Sequence, residues 1–148
     1  MADTMTGTAV EQMNSLLRGE ISAAETYRIA IDKVEGDRAT ELASLREISR
    51  EHGEHAQKLR EEIRRMGGEA DDSSGAWGAW AKTVQGVSSL FGDASALKAL
   101  KEGEEHGLKD YQDALEDVDA SCRQLIAETM VPAQQRHIDI LDAMIDRA

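Results

Sequence analysis

Apolar side chains recur along this chain at the three- and four-residue spacing of helices that bury one face. Met13, Leu16, Leu17, Ala24, Tyr27, Ile31 and Val34 form the first stripe, and Glu20 lies on it. Thr8 with Glu11 has the pattern of a capping box, Gly36 supplies a stop, and Asp37 can cap the next helix. The second stripe is Leu42, Leu45, Ile48, His52, His55, Leu59, Ile63 and Met66, ended by Gly67-Gly68. A third starts at Asp93 and carries Leu97, Leu100, Glu104, Leu108, Tyr111, Leu115 and Val118. The fourth opens on a Ser121/Gln124 capping box and runs through Met130, Gln134, His137, Leu141 and Met144. Pro132 inside it predicts a kink or irregular turn, because proline cannot donate to the helix ladder.

Residues 67–92 are rich in Gly, Ser and Ala, too many for the short turn that joins antiparallel helices. Helices of about 28 residues are about 42 Å long, and this segment can run back along all of that. A long crossover is expected, with Trp77 and Trp80 as anchors and a short helix within residues 76–90.

The two halves repeat. LLRGEISAAETYRIAIDKV (residues 16–34) set over LKEGEEHGLKDYQDALEDV (residues 100–118) pairs Gly19 with Gly103, Glu20 with Glu104 and Tyr27 with Tyr111, all at an offset of 84. The second helix of each half aligns at 82, pairing His52 with Gln134, His55 with His137 and Leu59 with Leu141. The expectation is an all-α four-helix bundle forming one domain over residues 1–148: hairpin 9–66, crossover 67–92, hairpin 93–147. Gly19 and Gly103 either let helices approach closely beside each Glu or are tolerated surface positions.

Composition narrows the function classes. One proline and 3% aromatic residues suit long helices, and a hydrophobic content of 41% argues against disorder. A net charge of −12 disfavours nucleic acid as a partner. The N-terminal stretch has no signal-peptide pattern, and no apolar run reaches the length of a membrane span. The lone Cys122 forms no internal disulfide and is expected to be a small apolar residue at a helix start, in a reducing, cytoplasmic compartment of bacterial type. No phosphate loop or nucleophile elbow is present.

The chemistry-bearing residues sit on the apolar stripes. Glu20, His52, His55, Glu104, Gln134 and His137 each interrupt one, and buried groups of this kind need partners or protons. Glu20 lies 16 residues before Gly36 and His52 16 after it; Glu104 lies 16 before Ala120 and His137 17 after it. Each count is about 24 Å of helix, so a crossover bundle brings all six to one level. Carboxylates and imidazoles converging there make a candidate transition-metal site, with Fe, Zn or another metal undecided. Tyr27 and Tyr111, one heptad from each Glu, are placed to donate to the carboxylates or to serve electron transfer. The alternative is a buried polar layer that only fixes helix register. His106 is expected to be exposed, and Glu51 and Glu105, one residue off the stripe, to point elsewhere.

With these residues in place, the chain resembles the ferritin-like superfamily. It is similar in particular to a small bacterial branch of stand-alone bundles classed only as a domain of unknown function. The resemblance implies a dimetal centre with a Glu from helices one and three and a Glu-x-x-His pair from each of the other two. Glu20 and Glu104 would be the carboxylates, His55 and His137 the histidines. His52 and Gln134 stand where that pattern has Glu. One ion or a different metal is therefore expected rather than a standard di-iron centre. Three functions stay open: a metal-binding or oxidoreductase bundle working under stress, a non-catalytic oligomerising bundle, and a partner-binding module using the crossover tryptophans. A homo-oligomer is expected, a dimer rather than a cage, with no nucleic-acid or membrane partner.

Overall fold

A computed structural model describes residues 2–92 and 94–147. The chain forms α1 (Ala2–Asp32), α2 (Ala39–Arg65), a 3-10 turn (Gly75–Trp77) leading into α3 (Gly78–Gln85), and α4 (Ala94–Ala114). A fourth rod completes it, made of α5 (Ala120–Leu125), a π-helical turn (Ile126–Met130) and α6 (Val131–Arg147). Asp93, the expected start of the third helix, lies outside the described residues. There is no strand among the described residues, and no helix there is long and apolar enough to cross a membrane.

The bundle is all-α. α1 packs on α2 and α4 on α6, and these two hairpins meet through α1 against α4 and α2 against α6. Their turns lie at opposite ends, as the two apolar clusters show. One cluster joins Met13, Leu17 and Ile63 to Val118, Cys122 and Ile126. The other joins Ala30, Leu45 and Ile48 to Leu97, Leu141 and Met144. Each large aliphatic side chain buried there contributes about 1.5–3 kcal/mol, so the two clusters carry the fold.

Between the hairpins the chain climbs along α1. Asn14 starts the path, donating to the Glu69 carbonyl at 2.8 Å and accepting from the Asp71 amide at 2.9 Å. Ser22 donates to the Trp77 carbonyl at 2.8 Å, and the Leu90 amide reaches Lys33 at 2.9 Å. Val84 and Leu90 are buried at the far end. The long crossover and its short helix thus lie over the α1/α4 face.

Three helix starts differ from expectation. α1 already runs from Ala2, so Thr8 is inside it and its first-turn capping role is gone. α2 starts after Arg38 without a side-chain cap, so Asp37 does not fill that place. The fourth rod is capped by Asp119, which accepts from the Cys122 amide at 2.9 Å, while Ser121 turns to Glu62. Beside Pro132 the expected irregular turn is present, as a π turn with the Val131 amide donating to the Ile126 carbonyl. The wider turn makes room for a ring that would otherwise clash with the preceding turn.

Candidate metal centre

A polar layer separates the two apolar clusters. Glu20 comes from α1, His52 and His55 from α2, Glu104 from α4, and Gln134 and His137 from α6; all are at most 3% exposed. They arrive together because each replaces an apolar residue on its stripe at a similar distance from its hairpin turn.

His52 is the middle of the layer. Its Nδ1 lies 2.6 Å from Glu20 Oε2 and its Nε2 lies 2.6 Å from Glu104 Oε1. The Tyr27 hydroxyl donates to Glu104 at 2.7 Å, and the Tyr111 hydroxyl donates to Glu20 at 2.5 Å. On the outer flanks, His55 Nδ1 stands 4.0 Å from Glu20 and His137 Nδ1 stands 3.4 Å from Glu104.

The electrostatics are set by this packing. Burial opposes charge on His52, but Glu104 and Glu20 override it and hold the ring well above the usual histidine range. As an imidazolium it donates to both carboxylates. Burial likewise works to raise Glu20 and Glu104, yet His52 leads the interactions that hold both below the ordinary carboxylate value. Tyr27 and Tyr111 are pushed well up, by burial first and then by the carboxylates they serve, so they remain donors. Burial lowers His55 and keeps it neutral.

Two groups in this layer could hold an ion: Glu20, His52 and His55, and His52, Glu104 and His137. The ligand atoms in each lie within 4.8 Å of one another. N and O ligands sit about 2.0–2.2 Å from zinc, so two ligands of one ion are at most about 4.4 Å apart. Only small shifts close each group. His55 Nδ1 gives the clearest sign of fit, being a buried nitrogen without a hydrogen-bond partner, turned toward Glu20.

Gln134 does not mirror His52, its repeat counterpart. Its Nε2 donates to the Glu104 carbonyl at 3.0 Å, in space that only Gly107 leaves open: a Cβ there would lie 2.7 Å from that nitrogen. Its Oε1 is buried without a partner. A carboxylate bridge of the dimetal kind therefore has no carboxylate at either position where the pattern calls for one.

Glu51 corrects the sequence reading. It lies one residue off the stripe, but its side chain reaches across the α2/α6 groove to His137 Nε2 at 3.3 Å and to Arg136. Holding the outer nitrogen of His137 turns Nδ1 toward Glu104, the arrangement that orients metal-binding histidines. The signal was available in its i, i+4 spacing to His55, though not which helix it would face. His106 is exposed and packs edge-on against Trp77, with ring centroids 5.0 Å apart.

The two repeated glycines seat indoles instead of letting helices close up. A Cβ on Gly19 would lie 3.3 Å from the Trp77 ring, and one on Gly103 would collide with Trp80. Trp80 also donates to the Ala99 carbonyl at 3.1 Å. Behind the indoles, a cavity of about 20 Å³ borders Glu20, His52, Tyr111 and Gln134, space for about one water molecule.

Comparison with known proteins agrees with this architecture. A ferritin-like, diiron-carboxylate protein from Bacillus anthracis str. Ames superposes with a TM-score of 0.78 at 20% identity, covering 95% of this chain and 97% of that one. A dodecameric thioferritin, the bacterioferritin-related protein of Bacteroides fragilis, gives 0.78 at 20% identity over 96% and 86%. A DPS protein from Vibrio cholerae O1, of the same broad diiron-carboxylate superfamily, gives 0.75 at 18% over 95% and 90%. At these identities the likeness is one of fold. No curated protein matches the sequence. The family described as a domain of unknown function (DUF2383) matches residues 8–117, most of the chain, and the protein therefore belongs to it.

Proposed function

We propose that this protein binds transition-metal ions in the mid-bundle layer, with Glu20, His52, His55, Glu104 and His137 as ligands and Gln134 beside them. The observation that carries the reading is the unpartnered, buried His55 Nδ1 turned toward Glu20. The fold neighbours are described as ferritin-like diiron-carboxylate proteins, which supports metal binding by this bundle. Imidazole-rich donors suit Zn, Cu, Ni or Fe, and carboxylates add charge.

A bound ion would supply Lewis acidity or, where redox-active, one-electron chemistry. The chain's own residues do the rest. Tyr27 and Tyr111 orient the two carboxylates, and Glu51 orients His137. The apolar clusters above and below keep bulk water out. In this reading residues 1–148 act as one domain in a bacterial cytoplasm, handling metal or electrons under stress as a homo-oligomer, a dimer rather than a cage. Native mass spectrometry decides the assembly.

A second reading is favoured by His52 itself. Flanked by two carboxylates at 2.6 Å, the protonated ring completes a hydrogen-bonded layer with no metal at all. The protein would then be a non-catalytic bundle whose polar layer sets register. Trp77 and Trp80, seated on glycines, support an anchoring role more than partner binding.

Metal analysis of protein purified without a His-tag separates the readings. The metal reading expects a transition metal to copurify or rebind, with Glu20→Ala and His137→Ala losing it. If nothing binds, and both variants lose stability without any change in metal content, the register reading stands.

A further inference from the structure

We infer that His52 is the bridging ligand of a two-ion centre, Nδ1 serving one ion and Nε2 the other, so that an imidazole ring takes the place of a bridging carboxylate. The inference rests on the metal reading above and goes beyond it. The two candidate groups share one residue, and that residue is His52. Its two nitrogens face different carboxylates, each at 2.6 Å. Each group is then closed by a histidine of its own, His55 beside Glu20 and His137 beside Glu104.

The other polar groups of the layer do not span the pair. Gln134 is turned to the Glu104 carbonyl. Glu51 meets only the outer nitrogen of His137 and Arg136. Tyr27 and Tyr111 each serve a single carboxylate. The repeat accounts for the arrangement: Glu20 and Glu104, and His55 and His137, are repeat pairs, while His52 against Gln134 breaks the symmetry. One ring sits between the two half-sites, and the side chain at the matching position turns instead to the Glu104 carbonyl.

Ligation at both nitrogens replaces both ring protons, which leave to solvent, and the ring then adds negative charge beside Glu20 and Glu104. That charge offsets part of what a carboxylate-poor layer lacks. Each half-site then offers two imidazoles and one carboxylate, a donor set that suits Fe, Cu or Zn.

Cu(II) titration of tag-free, metal-stripped protein tests the bridge, read by bound-metal stoichiometry and electron paramagnetic resonance. Expected are two ions per chain, with the isolated-copper signal growing to the first equivalent and falling as the second binds and couples through the ring. His52→Gln, checked for folding by circular dichroism, is expected to lose that coupling. Two ions with additive, uncoupled signals would overturn the bridge, and so would saturation at one ion; both leave the metal reading intact. No binding, or binding indifferent to Glu20→Ala, would remove the metal reading and the bridge together. The wild-type coupling decides the matter even if the variant fails to fold.

Discussion

Tyr27 on α1 donates its hydroxyl to Glu104 on α4, 2.7 Å away in the other hairpin. Its repeat counterpart Tyr111 returns the contact to Glu20 at 2.5 Å. Each carboxylate is thus held by a tyrosine from the opposite hairpin, so even the half-site whose ligands all come from α1 and α2 draws its orienting donor from α4. Tyr27→Phe or Tyr111→Phe removes a buried hydrogen bond to a charged group, expected to cost about 1.5–3 kcal/mol in chemical denaturation. Competition titration should show metal affinity falling about 10–100-fold, the usual effect of losing an orienting partner. Unchanged affinity in both variants would deny the tyrosines that role.

The glycines should separate cleanly by substitution. Gly53 is exposed with nothing near its missing side chain, so Gly53→Ala should stabilise α2 by about 0.5–1 kcal/mol. Gly103→Ala drives a methyl into Trp80, threatens its bond to Ala99, and should cost about 1–3 kcal/mol with a shift in tryptophan fluorescence. At Gly19 the 3.3 Å contact to Trp77 opposes the helix-propensity gain, and the net change should lie between those two. Thermal unfolding of the three variants gives the order directly.

Cys122 should be inert in the native state. It is fully buried, and burial, followed by Asp119, pushes its thiol up to about 12. Labelling at pH 8 should be slow in the folded protein and complete in denaturant, since the thiolate is the reactive form. Rapid native labelling would show that the end of the bundle opens readily.

Asp119 gives a pH-dependent contribution whose sign is set. Arg65 first, then the Cys122 backbone amide, hold it at about 2 against an ordinary 3.8. A depressed carboxyl stabilises the fold above its unfolded value and loses that contribution as pH falls through its folded value. Asp119→Ala should therefore cost about 1 kcal/mol near neutrality, the usual worth of an N-cap. The gap to wild type should close between about pH 3.8 and 2. Denaturation curves across that window check it.

Much of this was legible in the chain. Stripes of period 3.6 placed four helices, and polar residues on those stripes, counted from each turn, marked a common depth. Glu51 escaped because helical periodicity assigns a direction but not the neighbour that a long side chain can reach across a groove. Thr8 and Ser121 carried capping signatures, yet a helix start depends on which side chain meets the free amides, and Asp119 does so for the fourth rod. Gly19 and Gly103 were visible as a repeat. Their purpose was not, because the indoles they seat arrive from a segment far away in sequence.

The central claim is that ions bind inside this layer, and diffraction from zinc-loaded crystals at the zinc absorption edge tests it most directly. Anomalous peaks are expected on the two sides of the His52 ring, one bounded by Glu20 and His55 and the other by Glu104 and His137. Peaks confined to surface carboxylates, with none in the layer, would contradict that claim.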